Sequence, residues 1–293
     1  IDSEKDLQTM STNINSGVDK NAYFKQTADI RLSAAWTPIG LSTTDNSFRG
    51  NYDGGNFNIY GMYFANSNIE NLGLFGAISG ATIQNVHIRD SILVSSSNSR
   101  VYLGSIVGDG NGSGMAKIKN CSSDAKITDS SENGCVGGLA GSCSGYIENS
   151  TFSGTITSSA GLIGGIVASS GVSITNCVNN GDIEGTSSNC TVGGISASAM
   201  TITKCISTGN IKTNNIGASI VGTGSFLSIT DCAGYGMIYC NDATKCGGIV
   251  GVGSGSITNC SFNGSSNLAI GMFYASSTTT NPTVTASYSQ IGD

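Results

Sequence analysis

Short runs of β-branched residues, separated by Gly, Ser and Asn, recur along the chain, and one four-residue motif returns seven times. Its first residue is Ile, its second is polar in most copies, its third is usually Asn and its fourth is usually Cys. Successive copies begin 35, 29, 27, 28, 27 and 28 residues apart. Such a regular recurrence predicts a repeat architecture in which each copy forms one structural unit. The motif begins at Ile83, Ile118, Ile147, Ile174, Ile202, Ile229 and Ile257.

The length and composition of the repeat select the architecture. The copies contain no ten-residue stretch of helical periodicity, which excludes helical repeats. A propeller blade needs about 40–45 residues, more than this period provides, and a Leu-rich consensus is absent. We therefore expect an all-β fold, a right-handed parallel β-helix in which each copy makes one coil of two or three short strands. Each coil would hydrogen-bond to the next at a spacing of about 4.8 Å.

Stacked coils turn each position of the repeat into a column in space. The first Ile of the motif and a second Ile six residues beyond the Cys position are expected to point inward. Each such buried Ile stabilises the fold by roughly 1.5–3 kcal/mol. The second residue of the later motifs is Thr (Thr175, Thr203, Thr230 and Thr258), which we expect to face solvent. The second Ile column consists of Ile92, Ile127, Ile156, Ile183, Ile211 and Ile238.

Asn and Gly columns indicate where the chain bends. We expect the Asn side chains to lie at a bend, where each amide can bond to its neighbours in adjacent coils. Lys204 and Asp231 interrupt this column. A Gly column four residues beyond the Cys position (Gly154, Gly181, Gly209, Gly236 and Gly264) is expected to supply positive φ or room for a turn. The predicted Asn ladder consists of Asn85, Asn120, Asn149, Asn176 and Asn259.

Ten cysteines raise the question of disulfides or a metal site. Five of them occupy one column, with Ser150 in the same place in another copy, and their spacing resembles no zinc motif. We interpret the column as small apolar core residues and expect free thiols that are unreactive in the native protein. Among the others, Cys135 with Cys143 or Cys240 with Cys246 could pair locally, which leaves Cys190 single. The column consists of Cys121, Cys177, Cys205, Cys232 and Cys260.

The ends of a solenoid need caps, because an open end exposes unpaired strand edges. Residues 3–15 predict a short amphipathic helix with Ser3 as its N-cap and Leu7, Met10 and Ile14 on one face. We assign residues 1–34 to an N-terminal cap and residues 35–275 to the β-helix of stacked repeats. Residues 276–293, with a β-type run at 283–286, would form a final edge strand or a tail of the same structural domain.

Charge excludes some classes of partner. Only 11% of the residues are charged, against about 25% in an ordinary domain, and the net charge is −6. No basic stripe is available to displace counterions from phosphates, which argues against a nucleic-acid partner. No apolar run is long enough to predict a membrane span.

Few side chains suggest catalysis. His87 is the single histidine, so the usual His-based metal sites are excluded, and we interpret it as a surface residue. Glycan-cleaving β-helices bring two or three carboxylates together from adjacent coils. Asp182 and Glu184 are close in sequence, and Asp124 and Asp129 would lie two coils away, but no Arg or Lys column accompanies them. The sequence thus predicts no catalytic, metal-binding or cofactor-binding residue.

Several segments resemble a known group of proteins. Trp36-Thr37-Pro38-Ile39-Gly40, the run from Phe48 to Met62, and Gly73-Leu74-Phe75-Gly76 are three of them, followed by the later Gly-Gly-[Leu/Ile] units. Together they resemble bacterial surface proteins with the GLUG motif, over residues 23–264. These proteins include adhesins and the β-helical parts of large secreted proteins such as some immunoglobulin A peptidases. The resemblance implies a right-handed β-helix exported to the cell surface, and it brings no catalytic residues.

The functional expectation is a non-enzymatic, extracellular or cell-surface module without a cofactor. It would bind a glycan or a host or matrix protein, or act as a rigid stalk. The alternative is a polysaccharide lyase or glycoside hydrolase built on a β-helix. A cleft lined by three or more carboxylates from adjacent coils would favour the enzyme, whereas a smooth surface with exposed aromatic residues would favour the binding module.

Overall fold

A computed structural model describes residues 1–65, 69–96 and 99–268, together with the backbone of the strand Thr283–Thr285. Over these residues the chain is a nearly all-β parallel solenoid of about nine turns, with one short N-terminal helix, Glu4–Asn15. The predicted parallel β-helix is confirmed. A complete coil contains five short strands instead of the two or three predicted, because the Gly-rich half of each copy holds two further strands.

Equivalent strands stack into five faces, which follow one another along each coil as the first to the fifth face. In the described residues all pairings between coils are parallel, and their register shifts at one point, between Gly224 and Leu227. The first face contains Tyr23–Lys25, Asn51–Asp53, Thr82–Gln84, Lys117–Lys119, Tyr146–Glu148, Ser173–Thr175, Thr201–Thr203, the ends of Val221–Thr230 and Val250–Thr258, and Thr283–Thr285. The second contains Ile30–Arg31, Asn58–Tyr60, His87–Arg89, Ser122–Ser123, Thr151–Phe152, Val178–Asn179, Ile206–Ser207, Ala233–Gly234 and Ser261–Phe262.

The other three faces complete each coil. The third contains Ile92–Ser95, Lys126–Asp129, Thr155–Ser158, Asp182–Gly185, Ile211–Thr213, Met237–Cys240 and Ser265–Ser266. The fourth contains Asn71–Leu72, Tyr102–Gly104, Cys135–Gly137, Leu162–Gly164, Thr191–Gly193, Ile216–Ala218 and Cys246–Gly247. The fifth contains Phe75–Ala77, Val107–Gly110, Ala140–Cys143, Val167–Ser170, Ser196–Ser198 and the first parts of Val221–Thr230 and Val250–Thr258.

The first Ile column forms the core of the first face. All seven members are buried and stack directly on one another, as predicted. Towards the N-terminus the column continues as Tyr52 and then Phe24. Aromatic residues therefore take the inward position in the first two coils. This replacement explains why the Ile-based motif marks seven copies in a solenoid of about nine turns.

Ile92 was wrongly placed in the second Ile column. The residue is 59% exposed, and the next residue, Leu93, is buried and pairs with Ile127. The cause is one extra residue in this coil, Asp90, which adopts a positive φ of 49° between the second and third faces. Because side chains alternate along a strand, a shift of one residue turns Ile92 outward. The other five members of the column are buried.

The Asn column lies at the corner between the first and second faces. All seven residues at this position, including Lys204 and Asp231, have φ between 50° and 55°. This left-handed conformation is one that Asn and Asp tolerate better than other non-Gly residues. Side-chain amides link the coils: Asn120 Nδ2 donates to Asn85 Oδ1 at 3.1 Å, and Asn176 Nδ2 to Asn149 Oδ1 at 2.7 Å.

Two of the three Asn runs begin at a carboxylate. Asn85 Nδ2 donates to Asp53 Oδ1 at 2.8 Å, and Asn259 Nδ2 donates to Asp231 Oδ1 at 2.5 Å. Because the amides donate towards the N-terminus, the first amide of each of these two runs needs an acceptor in the preceding coil. The two Asp residues provide it, and Asp231 does so directly after the interruption at Lys204.

The Gly column has a different role from the Asn column. None of its five members has a positive φ. A Cβ on Gly209 would instead lie 1.9 Å from the carbonyl oxygen of Gly181 in the preceding coil, and one on Gly236 would lie 2.0 Å from that of Gly209. The column therefore provides room where successive coils approach closely, which is one of the two roles expected for it. The positive φ occurs at the Asn corner instead.

The Cys column carries hydrogen bonds as well as apolar packing. The backbone N–H of Cys177 donates to Cys205 Sγ, and that of Cys205 to Cys232 Sγ, both at 3.4 Å. Ser150 Oγ accepts the backbone N–H of Cys121 in the same way, at 3.1 Å. This hydrogen bond explains why Ser can replace Cys here. All ten cysteines are free and buried. Burial raises the pKa of Cys121 to about 12, which keeps its thiol protonated.

The N-terminal helix lies against the first coils. Ser3 caps it by accepting a hydrogen bond from the backbone of Asp6, and its apolar side chains Leu7, Met10 and Ile14 are buried as predicted. Tyr23–Lys25 and Ile30–Arg31, also within residues 1–34, pair in parallel with the next coil. At the other end, Thr283–Thr285 pairs with residues 256–258, and the rest of the predicted tail is outside the described residues.

The substitution Lys204→Asn should stabilise the protein. Lys204 is exposed and holds a left-handed conformation that Asn adopts at lower energy, and Asn could also continue the amide ladder from Asn176. We expect a gain of about 1 kcal/mol in the free energy of unfolding, measured by urea denaturation. Lys204→Ala, which removes the charge without favouring this conformation, should give no gain. A loss of stability in Lys204→Asn would contradict the ladder.

Candidate functional site

An open groove of about 420 Å³ lies on the third face. Its polar walls come from side chains at equivalent positions of four successive coils, so the groove follows the axis of the solenoid. The inward Ile residues of the same strands, Ile156 and Ile183, also contribute to its lining. The remaining lining residues are Thr155, Thr157, Asp182, Glu184, Asn210, Lys212 and Tyr239.

Strand alternation positions these side chains. Ile156, Ile183, Ile211 and Ile238 point into the core, so the residues on either side of each Ile point outward. The outward positions are free to carry polar groups because they take no part in core packing. Tyr239 is the one aromatic residue of the groove, and 45% of its surface is exposed.

The structure places Asp182 and Glu184 together on one strand and gives both of them partners. Asp182 Oδ1 accepts a hydrogen bond from the backbone N–H of Asn210 at 2.8 Å. Lys212 Nζ lies 2.6 Å from Glu184 Oε1. The sequence shows no Arg or Lys column beside these carboxylates, but a single lysine, Lys212, pairs with Glu184. Lys212 follows Glu184 by 28 residues, one repeat, and this spacing was the available signal in the sequence.

Asp124 and Asp129 do not join this pair. Asp124 Oδ1 accepts a hydrogen bond from the backbone N–H of Asp90 at 3.0 Å. Asp129 points inward, is 4% exposed, and accepts hydrogen bonds from the hydroxyls of Ser131 and Ser158. Burial raises the pKa of Asp129 above its ordinary value, and the serine hydrogen bonds offset only part of this effect.

His87 lies half-buried on the second face. Its Nδ1 is 2.7 Å from Ser122 Oγ, and Arg89 donates to the same hydroxyl at 2.6 Å. Partial burial and the nearby Arg89 charge both lower the pKa of His87. The imidazole thus shares its partner with a cation and lies on a different face from the groove.

A second groove of about 440 Å³ lies near the N-terminal corner. It contains Asp53, whose carboxylate accepts hydrogen bonds from the Gly55 backbone and from Asn85, as expected for a turn residue. Partial burial opposes ionisation, but these hydrogen bonds outweigh it and lower the pKa of Asp53. The Asp53 carboxylate and the Asn85 amide are bonded to each other within the corner, and we take the third-face groove, which extends over four coils, as the candidate ligand site.

No group of three or more His, Cys, Asp or Glu residues that could hold a metal ion occurs in the described ranges. No helix in the part of the chain that the structure describes is long and apolar enough to cross a membrane.

Comparison with known proteins gives one similar solved structure. It is a protein of Bacteroides ovatus described as a "putative immunoglobulin A1 protease", 20% identical, with a TM-score of 0.49. The match covers 73% of this chain and 76% of that chain. A similarity of this level says nothing about what this chain binds or does. No family model and no curated protein matches the chain, so the resemblance to GLUG-motif proteins stays a prediction.

The substitution Asp129→Asn should reduce the pH dependence of stability. The folded pKa of Asp129 lies above that of an unfolded carboxyl, so between the two values the folded state binds more protons. The free energy of unfolding therefore falls as the pH rises through this interval. Urea denaturation across the acidic range should show a smaller fall in the variant than in the parent protein, because burial also raises the pKa of Asp109 and its contribution remains. Exposed Asp182→Asn is the matched control and should keep the parent profile. An unchanged profile in Asp129→Asn would refute the assignment.

Proposed function

We propose that this chain is a non-enzymatic β-solenoid module of a secreted or surface-displayed bacterial protein. In this proposal the third-face groove binds an extracellular ligand, as in an adhesin. The observation that carries the proposal is the make-up of the groove, which combines two carboxylates, one of them ion-paired, with hydroxyl groups and an exposed tyrosine.

The arrangement of the carboxylates argues for binding over glycan cleavage. Asp182 and Glu184 share one strand, and no further carboxylate from an adjacent coil lines the groove. A glycosidase needs one carboxyl group that holds a proton for the leaving group. Glu184 is instead ion-paired with Lys212, whose Nζ lies 2.6 Å from Glu184 Oε1.

The resemblance and the charge support the proposed location and partner class. GLUG-motif proteins are exported, and the sequence motifs that carry this resemblance extend over most of the chain. The net charge of −6 without a basic stripe disfavours nucleic acid as the ligand.

A product assay tests the absence of catalysis. The protein is incubated with pectins, alginate, glycosaminoglycans and host glycans, with and without Ca²⁺. We expect no new reducing ends and no unsaturated products, while an array of glycans and matrix proteins should show retention of the module. Turnover that is lost in Asp182→Asn or Glu184→Gln would overturn the proposal in favour of a glycan-cleaving enzyme.

A further inference from the structure

We infer that the third-face groove takes a neutral, extended oligosaccharide that runs along the solenoid axis with about one sugar unit per coil. This inference rests on the proposed function and specifies its ligand class and binding direction. It follows from the repeat distance, from the free polar groups of the groove, from Tyr239 and from the charge balance.

The repeat distance sets the direction of the ligand. Equivalent residues of successive coils are about 4.8 Å apart, close to the length of one pyranose unit in an extended chain. The polar walls of the groove come from four successive coils, which contribute Thr155 and Thr157, then Asp182 and Glu184, then Asn210 and Lys212, and finally Tyr239. A ligand lying across the coils would meet one or two of these strands, whereas an axial chain meets all four.

Several polar groups of the groove are available to a ligand. In the described part of the chain, the hydroxyls of Thr155 and Thr157 and the amide Nδ2 of Asn210 have no protein hydrogen-bond partner. Hydroxyl groups both donate and accept, and an amide nitrogen donates. Sugar hydroxyls have the same dual character, so a polyhydroxylated chain can use each of these positions.

Tyr239 provides an apolar surface at one end of the groove. Its ring is 45% exposed and belongs to the last of the four coils that line the groove. A tyrosine offers a rigid amphipathic contact with little loss of conformational entropy on binding. The C–H-bearing face of a pyranose can pack on such a ring. Tyr235 is 49% exposed but does not line the groove, which makes it a matched control.

The charge of the groove selects neutral over anionic sugars. Asp182 and Glu184 carry two negative charges and Lys212 carries one positive charge, so the lining has a formal charge of −1. The whole chain has a net charge of −6. Uronate or sulfate groups would therefore meet repulsion in the groove as well as from the rest of the surface.

Calorimetric titration with oligosaccharides of increasing length tests the inference. The probes are cello-, xylo-, manno- and chito-oligosaccharides from the monosaccharide to the hexasaccharide, with oligogalacturonates as the anionic comparison. In at least one neutral series, affinity should rise with each unit up to about the tetrasaccharide and then level off. Tyr239→Ala should weaken binding about tenfold, and Tyr235→Ala should leave it unchanged, with both variants checked for parental melting temperatures.

Other outcomes would overturn the inference. These are no binding in any neutral series, an affinity that stops rising at the disaccharide, tighter binding of oligogalacturonates than of neutral chains of equal length, or no effect of Tyr239→Ala. A matrix protein that binds in place of every neutral oligosaccharide, and loses binding in Tyr239→Ala, would overturn the inference and leave the proposed binding function of the groove intact. Cleavage of a bound neutral oligosaccharide would overturn the proposed non-enzymatic function. It would not overturn the assignment of the groove as the oligosaccharide site.

Discussion

The left-handed corner between the first and second faces determines how seven of the coils turn. Seven successive coils place a non-glycine residue there with φ between 50° and 55°. This conformation costs most L-residues about 1–2 kcal/mol, so its repetition has to be compensated. Asn amides provide the compensation through hydrogen bonds between coils, and the carboxylates of Asp53 and Asp231 accept from Asn85 and Asn259.

This corner fixes which neighbouring residues face the core. Two residues before it the motif Ile points inward, and one residue after it the Cys or Ser side chain accepts the backbone N–H of the preceding coil. From there the alternation continues through the second and third faces. The groove lies on the third face, where the outward positions of this alternation carry polar residues. Since these positions add little to core packing, their chemistry can differ from coil to coil, as Asp182, Asn210 and Thr155 do.

The parts of the fold that repeat in sequence were predictable, and the parts that do not repeat were missed. The first Ile column, the Asn bend and the Ser3-capped helix followed from motif, spacing and pattern. The first two coils escaped notice because Phe24 and Tyr52 replace Ile there. The inserted Asp90 reversed the orientation of Ile92, and a fixed offset cannot detect such an insertion. The groove was only partly predictable, since Lys212 and Tyr239 belong to columns with no consensus.

The most direct test of this account compares two neighbouring residues in one coil. Ile202 is buried and Thr203 is half-buried on the outward side, directly before the corner at Lys204. Urea denaturation of Ile202→Asn should show a loss of about 3 kcal/mol or more in the free energy of unfolding, because an amide enters an apolar stack. Thr203→Asn should be nearly neutral. Equal losses in the two variants would contradict the register on which the corner, the core and the groove depend.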